Sequence, residues 1–108
     1  MKESQNVKLI IHTPLSHADI VRKVLGDAGA GRIGEYSHCS FTTRGVGRYI
    51  GSESSNPAIG QRGKYEMVEE ESIEVVLPKE IVARVLEAVR AVHPYEEIAA
   101  EIIPLLEL

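Results

Sequence analysis

Several absences in the sequence limit the class of protein. The 108 residues include one cysteine, Cys39, and no tryptophan. A single cysteine cannot form an internal disulfide, so the sequence requires no oxidising compartment. No apolar run approaches the roughly 18 residues of a membrane-spanning helix, and residues 1–7 lack the apolar stretch of a secretion signal. We therefore expect a cytoplasmic protein that has no membrane partner.

An excess of positive charge is also missing. The net charge is -4, which disfavours nucleic acid as a partner because phosphates require a basic surface. The segment 44–65 is nevertheless basic, and its four basic residues are Arg44, Arg48, Arg62 and Lys64. This segment is interpreted either as a mobile loop that binds a small anion or as a solvated loop with incidental charges.

The spacing of apolar residues predicts a strand and a helix in the first quarter of the chain. Val7–His12 alternates and predicts a strand that Pro14 ends. Ser16 and Asp19 have the spacing of a capping box, so a helix is expected to begin there. Gly29 is the expected C-terminal stop of that helix.

The middle of the chain has strand and loop signals. Tyr36–Thr43 predicts a strand, with Cys39 directed into the core. Residues 44–51 could extend it, with glycines marking bulges. The dense turn residues of 51–64 indicate a long loop or an irregular hairpin tip, and Val68 is expected to begin the return strand.

A second helix and a last strand follow. Pro78 suits the start of the helix, and His93-Pro94 is expected to end it because proline disfavours helix in the preceding residue. Ile98–Ile103 predicts the last strand, closed by Pro104. The apolar stripe of the helix consists of Ile81, Val82, Val85, Leu86, Val89 and Val92.

The two halves of the chain resemble each other, which predicts the fold. Ile20–Leu25 matches Ile81–Leu86, and each copy follows an apolar strand and a proline. Two β-α-β halves make a ferredoxin-like βαββαβ sandwich, an α+β fold with both helices on one face of an antiparallel sheet. We expect residues 1–108 to form one such domain. Strands that are apolar on both sides, such as that of Val75 and Val76, favour a homo-oligomer.

Motifs that would indicate a self-contained enzyme are weak or missing. Gly29–Gly34 spells G-x-G-x-x-G, but a helix precedes it and a strand follows, so it is not a dinucleotide fingerprint. The acidic run Glu69–Glu71 is interpreted as an exposed strand end. No pair of acids is placed for general acid–base chemistry, and the serines of 52–55 have no base nearby. The sequence therefore predicts a protein that is not an enzyme by itself.

One short segment, His93–Glu97, gathers an imidazole, a phenol and two carboxylates. These groups suit a divalent cation, and they equally suit a hydrogen-bonded corner that fixes the entry of the last strand. The candidate metal ligands are His38, His93, Glu96 and Glu97. Tyr95 joins the four basic residues as a candidate for ligand binding.

The segments Gly29–Phe41, Asn56–Gly60 and His93–Glu97 resemble the insert domain of the YqfO-type, or Nif-three-like, family. The resemblance implies a fold like that of PII and CutA proteins and a homotrimer. It also implies a two-metal centre in flanking lobes of full-length relatives, whose ligands this chain lacks. The chain thus looks like the insert domain standing alone, and a hydrolase label would not carry over. At Ile98–Glu101 the sequence departs from the proline that usually follows in the family.

Three functions are consistent with these observations. The first is an oligomeric PII/CutA-like module that binds a small ligand or regulates, with its site in a subunit cleft between segments 44–65 and 93–97. The second is a CutA-like protein that binds a divalent metal ion. The third is an accessory partner of a separate YqfO-type metal lobe.

Overall fold

The structure is a computed structural model that describes all residues, 1–108. Its elements are β1 (Lys2–Pro14), α1 (Ala18–Asp27), β2 (Phe41–Ile50), β3 (Tyr65–Pro78), α2 (Val82–Arg90) and β4 (Ala100–Glu107). The strands form one antiparallel sheet in the order β2-β3-β1-β4, and both helices pack on one face of it. The ferredoxin-like α+β fold that the sequence predicts is confirmed. Neither helix is long and apolar enough to cross a membrane.

The core lies between the helices and the two central strands. Leu9 and Ile11 of β1 face Val75 and Ile73 of β3 in the antiparallel register. The helices contribute the fully buried side chains Val21, Leu25, Val85 and Val89. Burial of each such side chain contributes about 1.5–3 kcal/mol, so this cluster dominates the stability of the fold.

Each helix is preceded by a 3-10 turn, Leu15–His17 before α1 and Lys79–Ile81 before α2. No side chain caps the start of either helix. The hydroxyl of Ser16 instead lies 2.7 Å from Nδ1 of its neighbour His17. The capping box is therefore a wrong prediction. The helix itself begins at Ala18, two residues after the predicted cap Ser16.

The buried residues of the two helices align the two halves of the chain in a different register from the one that the sequence match gives. Counted from the prolines before the two 3-10 turns, buried Val21 corresponds to buried Val85. The sequence match pairs Ile20 with Ile81, so the two alignments differ by three residues, which is most of a helical turn. Residues three apart lie on nearly the same helical face, so apolar spacing alone does not fix this alignment.

β2 begins later than the predicted strand, at Phe41, and the expected extension beyond Thr43 is present as far as Ile50. Its pairing with β3 is unbroken from Phe41 opposite Glu74 to Ile50 opposite Tyr65, so its glycines mark no bulge. Residues 51–64 form the loop that the turn residues predict, and the basic segment 44–65 also includes the last part of β2 and the first residue of β3.

Residues 31–40 contain no strand, which corrects the predicted start at Tyr36. Cys39 lies in this irregular segment and is half-buried outside the apolar core, so its assignment to the core is wrong. Gly29 and Gly31 have φ of 107° and 81°, which only glycine adopts readily. The glycine-rich motif is thus a helix stop and a turn.

The end of the chain also differs from the prediction. α2 ends at Arg90, before His93, and β4 starts at Ala100. Pro104 lies inside β4 opposite Val7, where it was expected to close the strand. β4 is an edge strand, and a proline there need not interrupt a ladder hydrogen bond.

Both edges of the sheet expose apolar side chains. On β2 and the first residues of β3 these are Phe41, Val46, Ile50, Tyr65 and Met67. On β4 they are Ile102, Ile103 and Leu106.

Candidate functional site

A cavity of about 620 Å³ opens where the hairpin, meaning β2, β3 and the loop 51–64, meets the corner, meaning His93–Glu97. It is the larger of the two principal cavities of the chain. The side chains and backbone that matter for its chemistry belong to His12, Gly47, Tyr49, Glu70, Tyr95 and Glu97.

His93 anchors the corner to the sheet. It is 7% exposed, and its Nε2 donates to the carbonyl of His12 at 2.8 Å. The backbone N–H of Tyr95 donates to the other ring nitrogen, Nδ1, at 3.2 Å. These partners select the neutral tautomer that carries its proton on Nε2, and burial lowers the pKa of the imidazole. His93 therefore has a structural role: it holds the corner in place and does not itself line the cavity.

Glu70 and Tyr95 form the central contact of the cavity. Glu70 is only 9% exposed, and the Tyr95 hydroxyl donates to its Oε2 at 2.7 Å. Burial and then the Glu70 carboxylate raise the pKa of the Tyr95 phenol. The phenol accordingly stays protonated and remains a donor at neutral pH.

Gly47 provides the space for the Glu70 carboxylate. A Cβ at this position would lie 2.0 Å from Glu70 Oε1. Gly45, two residues earlier on the same strand, has open space where its Cβ would be. Of the two glycines, Gly47 is the one that the site requires.

Tyr49 closes one wall and ties the loop to the hairpin. Its ring lies edge-on to that of Tyr95 with the centroids 6.4 Å apart, and its hydroxyl donates to the carbonyl of Ile59 at 2.6 Å. Burial, and then two nearby glutamates, raise the pKa of its phenol. Glu96 holds the corner to the same loop, because its Oε1 accepts the backbone N–H of Asn56 at 3.0 Å.

The predicted basic residues do not converge on the cavity. Successive side chains of a strand point to opposite faces, so Arg44 and Arg48 lie on the other face from Gly47 and Tyr49. Nε of Arg44 is 3.8 Å from Glu71.

The remaining members of that set are also engaged elsewhere. The Arg48 guanidinium contacts Tyr65 and Met67, and Arg48 is also one of the residues that line the cavity. Arg62 donates to the carbonyl of Ser55 within the loop, and Lys64 is exposed. Tyr95 is therefore the member of the predicted ligand-binding set whose functional group lies at the site.

The four predicted metal ligands occupy two places. His38 has a φ of 59° and lies against α1, with Nε2 2.9 Å from Asp27 Oδ1. Glu96 and Glu97 line the cavity, and the ring of His93, at the same corner, is already bonded at both nitrogens. No three His, Cys, Asp or Glu side chains of the chain are grouped as metal ligands. The divalent-metal site stays a prediction.

Sequence reasoning missed Glu70, the most buried acid of the site. The acidic run was expected to be exposed, which is wrong for two of its three members. Glu70 is buried, and Glu71 is largely covered where it pairs with Arg22. The alternation of β3 places Glu70 with Ser72 and Glu74 on the face opposite the core residue Ile73, so no local signal predicts its burial.

The sheet, its two covering helices and the cavity at one end define a small α+β module with the CutA fold. The divalent cation tolerance protein CutA from Archaeoglobus fulgidus has a TM-score of 0.69 at 21% identity, over 94% of this chain and 85% of that one. CutA from Xylella fastidiosa has a TM-score of 0.71 at 20% identity, over 97% and 88%. At these identities the likeness concerns the fold alone.

A second group of relatives is similar in sequence as well. A Bacillus cereus protein related to NIF3 has a TM-score of 0.82 at 40% identity, and the match covers 98% of this chain and 26% of that one. The "GTP cyclohydrolase 1 type 2 homolog" of Bacillus subtilis is 43% identical over 97 residues, and that of Mycobacterium tuberculosis 44% over 99. These matches cover 90% and 92% of this chain.

The chain spans about a quarter (26%) of the length of the curated relatives it matches. No protein-family model matches it. The predicted resemblance to these proteins is confirmed, since the relatives include a protein related to NIF3 and homologues of GTP cyclohydrolase 1 type 2.

Proposed function

We propose that the protein is an oligomeric module that binds a small ligand, or regulates through one, and does not catalyse a reaction by itself. The cavity between the hairpin and the corner carries this proposal. It combines a volume of about 620 Å³ with aromatic walls and a buried carboxylate. Concave sites of this size with a few convergent polar groups are typical of small-molecule binding.

The bonding of the polar groups supports binding over catalysis. The ring of His93 and the hydroxyl of Tyr49 are both held by backbone partners. The hydroxyl of Ser55 donates to the carbonyl of Ser52 within the loop. A nucleophile needs an adjacent base that is within reach and oriented, and no serine of the cavity has one.

The name of the curated relatives, "GTP cyclohydrolase 1 type 2 homolog", belongs to proteins of which this chain is about a quarter (26%). An activity of such a whole protein is therefore not assigned to this chain. An alternative role follows from this proportion: the chain would serve as the accessory partner of a separate YqfO-type metal lobe. Co-purification with such a lobe would support that alternative.

Self-association is part of the proposal, with a trimer favoured. The apolar side chains on both sheet edges support it, because an edge strand also presents unpaired backbone groups to a second copy. The small ligand would then lie near a subunit boundary. Light scattering at high protein concentration tests this, and a particle of 11.9 kDa would contradict it.

Divalent-metal binding is the second candidate. The name of the Archaeoglobus fulgidus CutA, a divalent cation tolerance protein, favours it. The ligands would come from His38, His93, Glu96 and Glu97. Metal analysis of untagged protein, together with its melting temperature in zinc, copper and cobalt, tests this role. A metal-free protein with an unchanged melting temperature would exclude it.

The main test locates binding within the chain. Two-dimensional ¹H–¹⁵N NMR is recorded while anions such as ATP and citrate, and small amines, are added separately. We expect at least one compound to shift the amides of Gly47, Gly51 and Tyr95 together. If no compound shifts them, the binding proposal fails.

A further inference from the structure

The cavity is acidic, although the hairpin that forms one of its walls is rich in basic residues. The carboxylates of Glu70, Glu96 and Glu97 line it. Arg48 is the one Lys or Arg among the lining residues, and its guanidinium lies on the opposite face of the hairpin. The negative charge at the cavity is therefore not neutralised from within, which favours a cation over an anion.

Glu70 has an oxygen that is left for a ligand. The side chain is nine-tenths buried, and its one hydrogen-bond donor, Tyr95, bonds to Oε2. An ionised carboxylate accepts about four hydrogen bonds. Oε1 lies in the space that a side chain at position 47 would fill, and it is not a fully buried unpaired atom. A donor in the cavity can therefore reach it and replace solvent as its partner.

The arrangement of the acids favours a polyatomic cation over a metal ion. Three His, Cys, Asp or Glu side chains are nowhere grouped closely enough to hold one ion, so Glu70, Glu96 and Glu97 do not converge on a single point. The volume is sufficient for a small organic molecule. The rings of Tyr49 and Tyr95 add faces that attract ammonium and guanidinium groups.

We propose that this cavity binds an organic cation with a guanidinium or primary ammonium group, which donates to Glu70 Oε1. Glu96 and Glu97 attract the remainder of the ligand. The inference rests on the proposed function, since it names the ligand class of the same cavity. The cation can come from a free small molecule or from an Arg or Lys side chain of a second copy.

Calorimetric titration of the full chain with agmatine, which carries one guanidinium and one ammonium, tests the inference. Uncharged 1,4-butanediol is the matched control ligand. We expect heat from agmatine alone, and binding that weakens as salt is added. Glu70→Gln keeps the acceptor for Tyr95 and removes the charge, so it is expected to weaken binding roughly tenfold or more. Glu97→Gln, on the exposed rim, is expected to weaken it less.

Glu80→Gln is the control variant, because Glu80 is an exposed acid outside the cavity. Equal heats from agmatine and butanediol, or equal affinities of the wild type and Glu70→Gln, would overturn the inference. If an anion shifts the Gly47 and Tyr95 amides and agmatine does not, this inference falls and the proposed function stands. If no compound binds, both fall.

Light scattering during the same titration distinguishes the two sources. A mass that falls as agmatine is added assigns the cation to a side chain of a second copy, and an unchanged mass assigns it to a free small molecule. Both results, when accompanied by the loss of affinity in Glu70→Gln, support the site.

Discussion

The two ends of the sheet are built on different principles. Beneath the helices, β1 and β3 alternate between fully buried apolar residues and half-buried ones, and one contiguous core results. Beyond the helices, the hairpin is mostly exposed, and its organising contact is the hydrogen bond from Tyr95 to Glu70. The covered end supplies stability, and the open end supplies the cavity. Pairs of similar substitutions, one at an important position and one at a control position, measure what each end contributes.

The largest expected effect compares two isoleucines. Ile73 is 0% exposed in the core, whereas Ile50 is 65% exposed on the hairpin. Ile73→Ala removes buried methyl groups and leaves a cavity, so it is expected to lower the free energy of unfolding by about 2–5 kcal/mol. Ile50→Ala is expected to change it by less than about 0.5 kcal/mol. Urea denaturation measures the free energy of unfolding of both variants. Similar losses would contradict the claim that the covered end supplies the stability.

The next effect concerns the organising contact of the open end. Tyr95→Phe removes the donor to a buried carboxylate, so the free energy of unfolding is expected to fall by about 1–3 kcal/mol. Tyr36→Phe is the control, because Tyr36 is 75% exposed and its hydroxyl forms no hydrogen bond within the chain. Equal denaturation midpoints for the two variants would show that the Tyr95–Glu70 bond does not organise this end.

A smaller effect compares two glycines of β2. Gly47→Ala places a Cβ against the Glu70 carboxylate, which must move away from Tyr95. We expect a loss of about 1 kcal/mol, the value of one hydrogen bond, and weaker binding in the cavity. Gly45→Ala meets open space and is expected to be neutral or slightly stabilising. If the variants bind the same ligand equally well, Gly47 has no role in shaping the site.

The smallest effect is a dependence on pH that His93 introduces. Burial lowers its pKa from the ordinary value of 6.5 in the folded protein. Between the two pKa values the unfolded chain binds more protons, so stability increases with pH there. The stabilisation is complete above about pH 6.5 and is lost as pH falls through that value towards the folded pKa.

His93→Gln tests this dependence, since glutamine can still donate to the His12 carbonyl but does not titrate. Free energies of unfolding between pH 5 and pH 7 are expected to vary less steeply in the variant than in the wild type. Parallel curves would mean that another group causes the dependence.

The covered end was predictable because its signals are local. The alternation of Val7–His12 and the apolar stripe from Ile81 to Val92 each encode a face, and those faces form the core. Where local signals are ambiguous, the observed ends of the strands and helices differ from the predicted ones. Proline at 104 was expected to end a strand, yet the edge position of β4 accommodates it inside.

The open end was predicted in its segments but not in its chemistry. Residues of segments 44–65 and 93–97 line one cavity within a single chain, whereas the prediction placed them in a cleft between subunits. The guanidinium groups of Arg44 and Arg48 lie away from this cavity, because the β2 register directs them to the other face. Glu70 was missed because its burial depends on Tyr95, which is distant in sequence and contacts it only after the sheet forms.

A crystal structure of the chain grown with agmatine tests the central claim most directly. We expect electron density for the ligand in the cavity, with a nitrogen within hydrogen-bond distance of Glu70 Oε1 and Tyr95 still bonded to Oε2. A cavity filled by the chain's own side chains, with the Glu70 carboxylate turned out to solvent, would contradict the claim.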